Sequence, residues 1–243
     1  MALRIGILQT DSVRPQFQDE HGDYPAMFRR LLLDAATEPL EFSVHDVRAS
    51  VPAEVACDAY VITGSKHSVY EDLPWISALA DFVREALAAD ANVIGICFGH
   101  QLIAHFFGGE VRKADVGWGV GVHEAEVVRQ APWMGAAPAQ RLRLLCSHQD
   151  QVMRAPREAA LYAKSAFCPI SGFTMPGVMT IQGHPEFTRS YSRDLMNFRA
   201  PMLGSDTHAA GLASLAQETD EREFARWMLA FAEEARRRRL EAS

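Results

Sequence analysis

Through the first hundred residues, apolar runs of four to six residues alternate with stretches whose apolar residues recur at helical spacing. Few folds are open to a chain with that rhythm. Arg4-Ile-Gly-Ile-Leu-Gln9, Glu41-Phe-Ser-Val-His-Asp46, Ala59-Tyr-Val-Ile-Thr63 and Asn92-Val-Ile-Gly-Ile96 read as strands, with helices over 27–36, 75–87 and 99–107 between or after them. Strands that are apolar on both faces belong to parallel sheets covered by helices on each side. The second half changes character. Strands are expected over 125–129, 141–145, 160–163 and 178–181 with little helix between them, so antiparallel strands join the parallel core. A long helix over 218–240 follows, apolar at Phe224, Trp227, Met228, Phe231 and Ala235. The fold class is α/β: an open, mixed, largely parallel sheet with helices on both faces. No repeat, low-complexity tract or linker divides the chain, so one domain is expected over 1–243, with a core over about 3–187 and a helical extension over 188–243.

Composition narrows the classes of function. Lys and Arg number 24 against 31 Asp and Glu, a net charge of −7, so the general basic field that attracts nucleic acid is missing. Cys57, Cys97, Cys146 and Cys168 are widely spaced with no CxxC pair, which fits a reducing compartment better than a disulfide scaffold or a zinc site. The amino-terminal apolar run is too short for a signal peptide. The charge-free stretches 91–109 and 165–185 are broken by Gly, His or Pro. A cytoplasmic protein with no membrane or nucleic-acid partner is expected. His100 and His105, five apart on one helix, do not share a face, and no metal site is expected there. Cys57, Cys146 and Cys168 lie among apolar neighbours and read as core.

Two segments carry candidate chemistry. Gly95-Ile-Cys97-Phe-Gly99-His-Gln101 puts a cysteine between an expected strand and an expected helix, with a glycine two residues away on each side. Such a turn aims the side chain out of the sheet at a helix N-terminus, where unpaired amides and the helix dipole favour a thiolate. The Phe98 N–H would then face an oxyanion formed on an attacked carbonyl. Taken alone, the segment is equally a small buried cysteine with packing glycines. Gly183-His184-Pro185-Glu186-Phe187 follows the last apolar run. A cysteine nucleophile needs a base, and the base an orienting acceptor; His184 and Glu186, two apart at a strand end, project to one side. In isolation this pair reads more readily as a surface histidine with a solvated glutamate; a cysteine at one strand end with His-x-Glu at another is the rarer coincidence.

Taken together, the two segments resemble the class I glutamine amidotransferases, which hydrolyse glutamine through a Cys-His-Glu triad. Tyr60-Val-Ile-Thr-Gly-Ser65 resembles the family's oxyanion strand. Gly108-Gly109-Glu-Val111 is similar to the segment after the nucleophile helix, and Ser147-His-Gln-Asp-Gln-Val152 to the loop that holds the glutamine backbone. Gly22-Asp-Tyr-Pro25 resembles a segment of the stand-alone, GMP synthase-like members. The likeness implies a flavodoxin-like fold, with Cys97 as nucleophile, His184 as acid and base, and Glu186 as orienter. It further implies Gly64 and Phe98 as oxyanion donors, and Gln101, Gln149 and Asp150 as substrate contacts. A single glycine in Thr63-Gly64-Ser65-Lys66, where many members have two, leaves the donor on that side open. The expected reaction is hydrolysis of the L-glutamine side-chain amide through a thioester, without metal or organic cofactor, supplying ammonia to an acceptor or a separate synthetase. The alternative is a γ-glutamyl peptidase using the same triad, and after it a silent regulatory relative. Nothing after Phe187 is long enough for an ATP-pyrophosphatase domain, so a complete GMP synthase is not expected.

Overall fold

The structure, a computed structural model, describes residues 2–136 and 140–241. Met1 and positions 242–243, the ends of the expected domain span, lie outside the described residues. Along the chain run β1 (Leu3–Gln9), α1 (Pro15–His21), α2 (Tyr24–Ala35), β2 (Leu40–Asp46), β3 (Ala59–Ile62), α3 (Pro74–Ala88), β4 (Asn92–Ile96) and α4 (Phe98–Phe106). There follow β5 (Glu110–Lys113), β6 (Gly119–Val127), β7 (Arg141–His148), β8 (Asp150–Arg154), β9 (Ala160–Lys164), β10 (Gly172–Met175), β11 (Val178–Ile181), α5 (Arg189–Leu203), α6 (Ser205–Ser214) and α7 (Glu221–Glu241). Nine strands form one sheet in the order β2-β1-β3-β4-β11-β10-β9-β6-β7, and β5 pairs with β8 in a small second sheet. Pairing is parallel from β2 to β11 and antiparallel from β11 to β7. This is the mixed α/β architecture that the sequence predicts.

The central parallel strands β3, β4 and β11 are buried on both faces because each face meets helices, whereas the edge strand β2 stays partly exposed. Val61, Ile94 and Ile96 point into a core shared with Trp227, Met228 and Phe231 of α7 and Phe28 of α2. Their neighbours Tyr60, Ile62 and Val93 point the other way, against Phe82 and Val83 of α3 and Phe98 and Leu102 of α4. That alternation is the period-two geometry of a strand placed between two apolar layers. Past position 187, α7 thus supplies core residues to the central sheet.

The antiparallel half curls back over the carboxyl edge of the parallel half. Leu145 of β7 forms an isolated bridge with His184, just past the end of β11, and its carbonyl accepts the His184 N–H at 2.7 Å. Helices α1 and α5 also pack together near this edge, with Val13, Phe187, Tyr191 and Leu195 in one apolar cluster.

Several bounds differ from the sequence expectation. The last helix begins at Glu221 rather than 218, because Asp220 bonds the backbone of Arg143 through both its N–H (2.8 Å) and its carboxylate (2.7 Å). Strand β6 starts at Gly119, six residues before the expected strand. The segment 147–152, expected as a loop, is the end of β7 and the start of β8 with Gln149 between them. Among the described residues no helix is long and apolar enough to cross a membrane.

Candidate active site

Register brings the candidate residues together. Strands β3, β4 and β11 are adjacent and parallel, with Ile62 opposite Gly95 and Ile96 opposite Ile181. Gly64, Cys97 and His184 therefore leave the same edge of the sheet, two, one and three residues past their strand ends. The Cys97 N–H continues the ladder to the Ile181 carbonyl at 2.9 Å. Open α/β sheets bind ligands at this carboxyl edge.

Cys97 has φ 51° and ψ −97°, one of two non-glycine residues with positive φ among those described. Such backbone strain costs on the order of 1–3 kcal/mol and persists only where the surroundings impose it. Here the chain must reverse from β4 into α4 at close quarters. A Cβ on Gly95 would stand 2.6 Å from the Gly99 carbonyl carbon, and one on Gly99 2.7 Å from Ile62 Cβ. The two flanking glycines are thus what permits the turn. Phe98 opens α4, so its N–H belongs to the first turn, whose donors have no carbonyl four residues back in the helix.

His184 is held from four directions. Its Nδ1 lies 2.8 Å from Glu186 Oε1, its ring stacks on Phe187 at 3.9 Å between centroids, and its backbone is fixed to Leu145. Gly64 closes the fourth side: a Cβ there would lie 2.6 Å from His184 Cε1 and 3.6 Å from Cys97 Cβ. With Nδ1 given to Glu186, the ring's other nitrogen is left for the Cys97 side chain, which with His184 crowds the Cα of Gly64. Burial alone would push the imidazole down. The charges of Glu186 and Cys97, with hydrogen bonds to both, overcome this and hold it up at about 10. Glu186 is fully buried and its Oε2 has no hydrogen-bond partner among the described residues, so the imidazolium is the charge that offsets its burial. The arrangement can pass a proton between a sulfur and a group bound above it.

On one flank of Cys97 lie the expected substrate contacts. Gln101 is buried, and its amide nitrogen donates to the Asp150 carbonyl (2.8 Å) and to Gln182 Oε1 (3.0 Å), so both its donors are spent inside the protein. The Gln149 carbonyl accepts from the Ala114 N–H at 3.0 Å. Asp150 is half-buried, and its carboxylate accepts the Ser68 hydroxyl at 2.5 Å from the loop that follows Gly64. A second flank is a cleft of about 340 Å³ beside His184 and Gly64, lined by none of Gln101, Gln149 and Asp150 and within the usual size range of small-molecule sites. Its walls come from the segment after β1 and from α5, the two polar regions on either side of the sequence motifs. The Gly22–Pro25 segment shapes the first wall: Asp23 caps α2 by accepting from the Tyr24 N–H, and also accepts from the Val13 N–H and Gln9 Nε2.

Sequence reading misses Asp11, Ser68 and Arg199, which reach the site from separate elements. No local motif marks them; only Phe187 has a signal, as the residue after His-x-Glu. The other three cysteines are buried, and burial pushes the Cys146 and Cys168 thiols up, Cys168 to about 11. His100 is also buried; its Nδ1 lies 2.9 Å from Thr180 Oγ1, and its ring packs on Phe173.

The family model for glutamine amidotransferase class-I matches residues 24–200. The chain belongs to the class I glutamine amidotransferase family, whose enzymes act on amides through a cysteine. It is 32% identical over 185 residues to gamma-glutamyl peptidase 4 of Arabidopsis thaliana, covering 73% of each chain. It is 28% identical to a glutamine-hydrolysing GMP synthase subunit of Halobacterium salinarum, over 69% of this chain and 86% of that one. In fold it is similar to a glutamine amidotransferase of Thermotoga maritima, with a TM-score of 0.70, 18% identity and coverage of 96% and 97%. A glutamine amidotransferase of Methylobacillus flagellatus aligns with a TM-score of 0.66 at 23% identity, covering 95% and 96%.

Proposed function

We propose that this protein hydrolyses γ-glutamyl amide bonds, that of L-glutamine among them, with Cys97 as nucleophile, His184 as acid and base, and Glu186 as orienter. The observation that carries the reading is the meeting of the strained Cys97 with a His184 that Glu186 holds cationic. The Cys97 sulfur attacks the amide carbon as its proton resides on His184. The oxyanion is met by the Phe98 N–H and, on the other side, by Gly64. As the tetrahedral intermediate collapses, the carbon–nitrogen bond breaks and His184 gives its proton to the departing amine. Water then attacks the γ-glutamyl thioester, passing a proton to His184; the carbon–sulfur bond breaks and glutamate leaves. Neither step calls for a metal or an organic cofactor.

With glutamine the departing amine is ammonia, which passes to an acceptor or a partner synthetase, as the likeness to a GMP synthase component suggests. A second reading, γ-glutamyl peptide hydrolysis, is favoured by the cleft beside His184, which is far larger than ammonia fills. Steady-state release of glutamate from glutamine and from a γ-glutamyl peptide by the purified chain tests both. Glutamate from either compound, abolished by Cys97→Ala, supports the hydrolase. Release from neither, or full release by Cys97→Ala, contradicts it.

A further inference from the structure

The cleft has a chemical character of its own, opposite to that of the whole chain. Although the protein carries a net charge of −7, four cationic side chains, Arg14, Arg48, Lys66 and Arg199, line the cleft against one carboxylate, Asp11. Asp11 is already committed to Lys66 at 2.8 Å and to Arg48 at 3.4 Å, and Arg48 also pairs with Asp46. Arg199 is different. It is half-buried, stands over the Trp118 ring at 5.2 Å, and gives one hydrogen bond to Ser147 Oγ. No carboxylate pairs with it among the described residues. Burying a guanidinium without an anion is unfavourable, and an Arg fork fits a carboxylate in two-point fashion. Arg14, at the start of α1, stacks over Phe198 at 4.2 Å and likewise has no acidic partner among the described residues.

The position of the cleft fixes which part of a substrate would reach it. His184 lines it, whereas Gln101, Gln149 and Asp150 do not. The acid that protonates the departing nitrogen faces that nitrogen, so the space beyond His184 belongs to the leaving amine and not to the glutamyl group. Ser147, which holds Arg199, lies two residues along β7 from Leu145, whose carbonyl holds the His184 N–H. Two residues of strand span about 7 Å.

We propose that Arg199, seconded by Arg14 at the cleft mouth, binds the carboxylate of an amino-acid or short-peptide leaving group, making this cleft the subsite for γ-glutamyl peptides. The inference rests on the hydrolase reading above and specifies its substrate class. The reaction is unchanged in its balance, with water cleaving the γ-glutamyl amide to glutamate and a free amino acid or peptide.

Two substrates that differ only in that charge test it: γ-glutamylglycine and γ-glutamylglycinamide. Wild-type protein should cleave the carboxylate compound with a kcat/KM about tenfold to a hundredfold higher, the worth of a charged hydrogen bond. Arg199→Met should bring that ratio to near one, mainly through KM, and Arg199→Lys should keep part of it. Equal kcat/KM for both compounds in the wild type overturns the subsite without reference to any variant, so a poorly folded Arg199→Met does not rescue it. An unchanged ratio in a folded Arg199→Met shows the arginine to be structural and also overturns it. Cleavage of glutamine with no cleavage of either dipeptide contradicts the subsite alone. Cleavage of none of the three contradicts the parent reading as well.

Discussion

The two flanks of Cys97 are built on opposite plans. On the Gln101 side the donors are engaged with neighbours: the Gln101 amide nitrogen bonds the Asp150 carbonyl and Gln182 Oε1, and the Asp150 carboxylate takes the Ser68 hydroxyl, leaving only Gln182 Nε2 buried without a partner among the described residues of this group. On the His184 side a cleft is lined by cations, of which Arg199 has no acidic partner among the described residues. A satisfied network gives rigid, narrow recognition, because a wrong ligand must break bonds already made. A wall in which Arg14 and Arg199 have no acidic partner among the described residues gives the reverse, since an anion bound there supplies what is missing. On the reading proposed above, one flank takes a fixed group, the glutamyl moiety, and the other a variable one.

The largest expected effect erases the distinction altogether. Cys97→Ala should lower turnover of every γ-glutamyl compound by on the order of 10⁵-fold or more, as removal of a triad nucleophile does. Cys146→Ala should leave it within about twofold; glutamate release measures both, with circular dichroism to establish folding. Comparable loss in a folded Cys146→Ala would break the claim that one cysteine serves both flanks. His184→Ala comes next, at on the order of 10⁴-fold or more, equally for glutamine and peptide substrates. A loss confined to one substrate would show that the imidazole does not serve the common step.

Glu186→Gln sharpens the electrostatics. Its loss in kcat should be smaller than that of His184→Ala, at about 10²–10⁴-fold. The carboxylate is the leading charge holding His184 up at about 10 against burial, so its removal should bring the imidazole down. His184 must be protonated to release the amine, so the alkaline limb of the pH–rate profile should move to lower pH. Stability follows the same sign. Because the folded pKa lies above the unfolded value, the contribution is complete below about pH 6.5 and lost as pH rises toward 10. Urea midpoints from pH 6 to 10 should fall in the wild type more steeply than in Glu186→Gln. Superposable midpoint curves would show that the pair carries no charge coupling.

The smallest effect probes the closed flank. Asp150→Asn should raise KM by about tenfold, the scale of one charged hydrogen bond, and by the same factor for glutamine and γ-glutamylglycine. A factor that depends on the leaving group would remove the contrast between the flanks. The ratio proposed for Arg199 is the complementary measurement.

What the sequence reveals is unevenly distributed for physical reasons. Strands β4 and β11 are short runs buried on both faces, and their apolar stretches coincide with the observed Asn92–Ile96 and Val178–Ile181. The glycines around Cys97 are legible because a tight reversal excludes side chains locally. Helix α5 is not, since only Tyr191, Leu195, Met196 and a few neighbours are buried, and Pro201 lies within it. Strand β10 is four residues beginning at Gly172, recognisable only from its partners β9 and β11. The cleft fails to show for the same reason: Asp11, Ser147 and Arg199 converge through the curl of the antiparallel half, a tertiary event with no local pattern. Glu186 and His184, two apart in one segment, needed no such convergence.

The central claim is that one sulfur carries the γ-glutamyl group between the two flanks. Acid-quenching the wild-type protein during turnover of glutamine and of γ-glutamylglycine, then mapping the adduct by peptide mass spectrometry, measures this directly. A γ-glutamyl thioester on Cys97 alone, identical from both substrates, is the predicted result. An adduct on Cys57, Cys146 or Cys168, or hydrolysis that proceeds with Cys97 replaced by alanine, would contradict it.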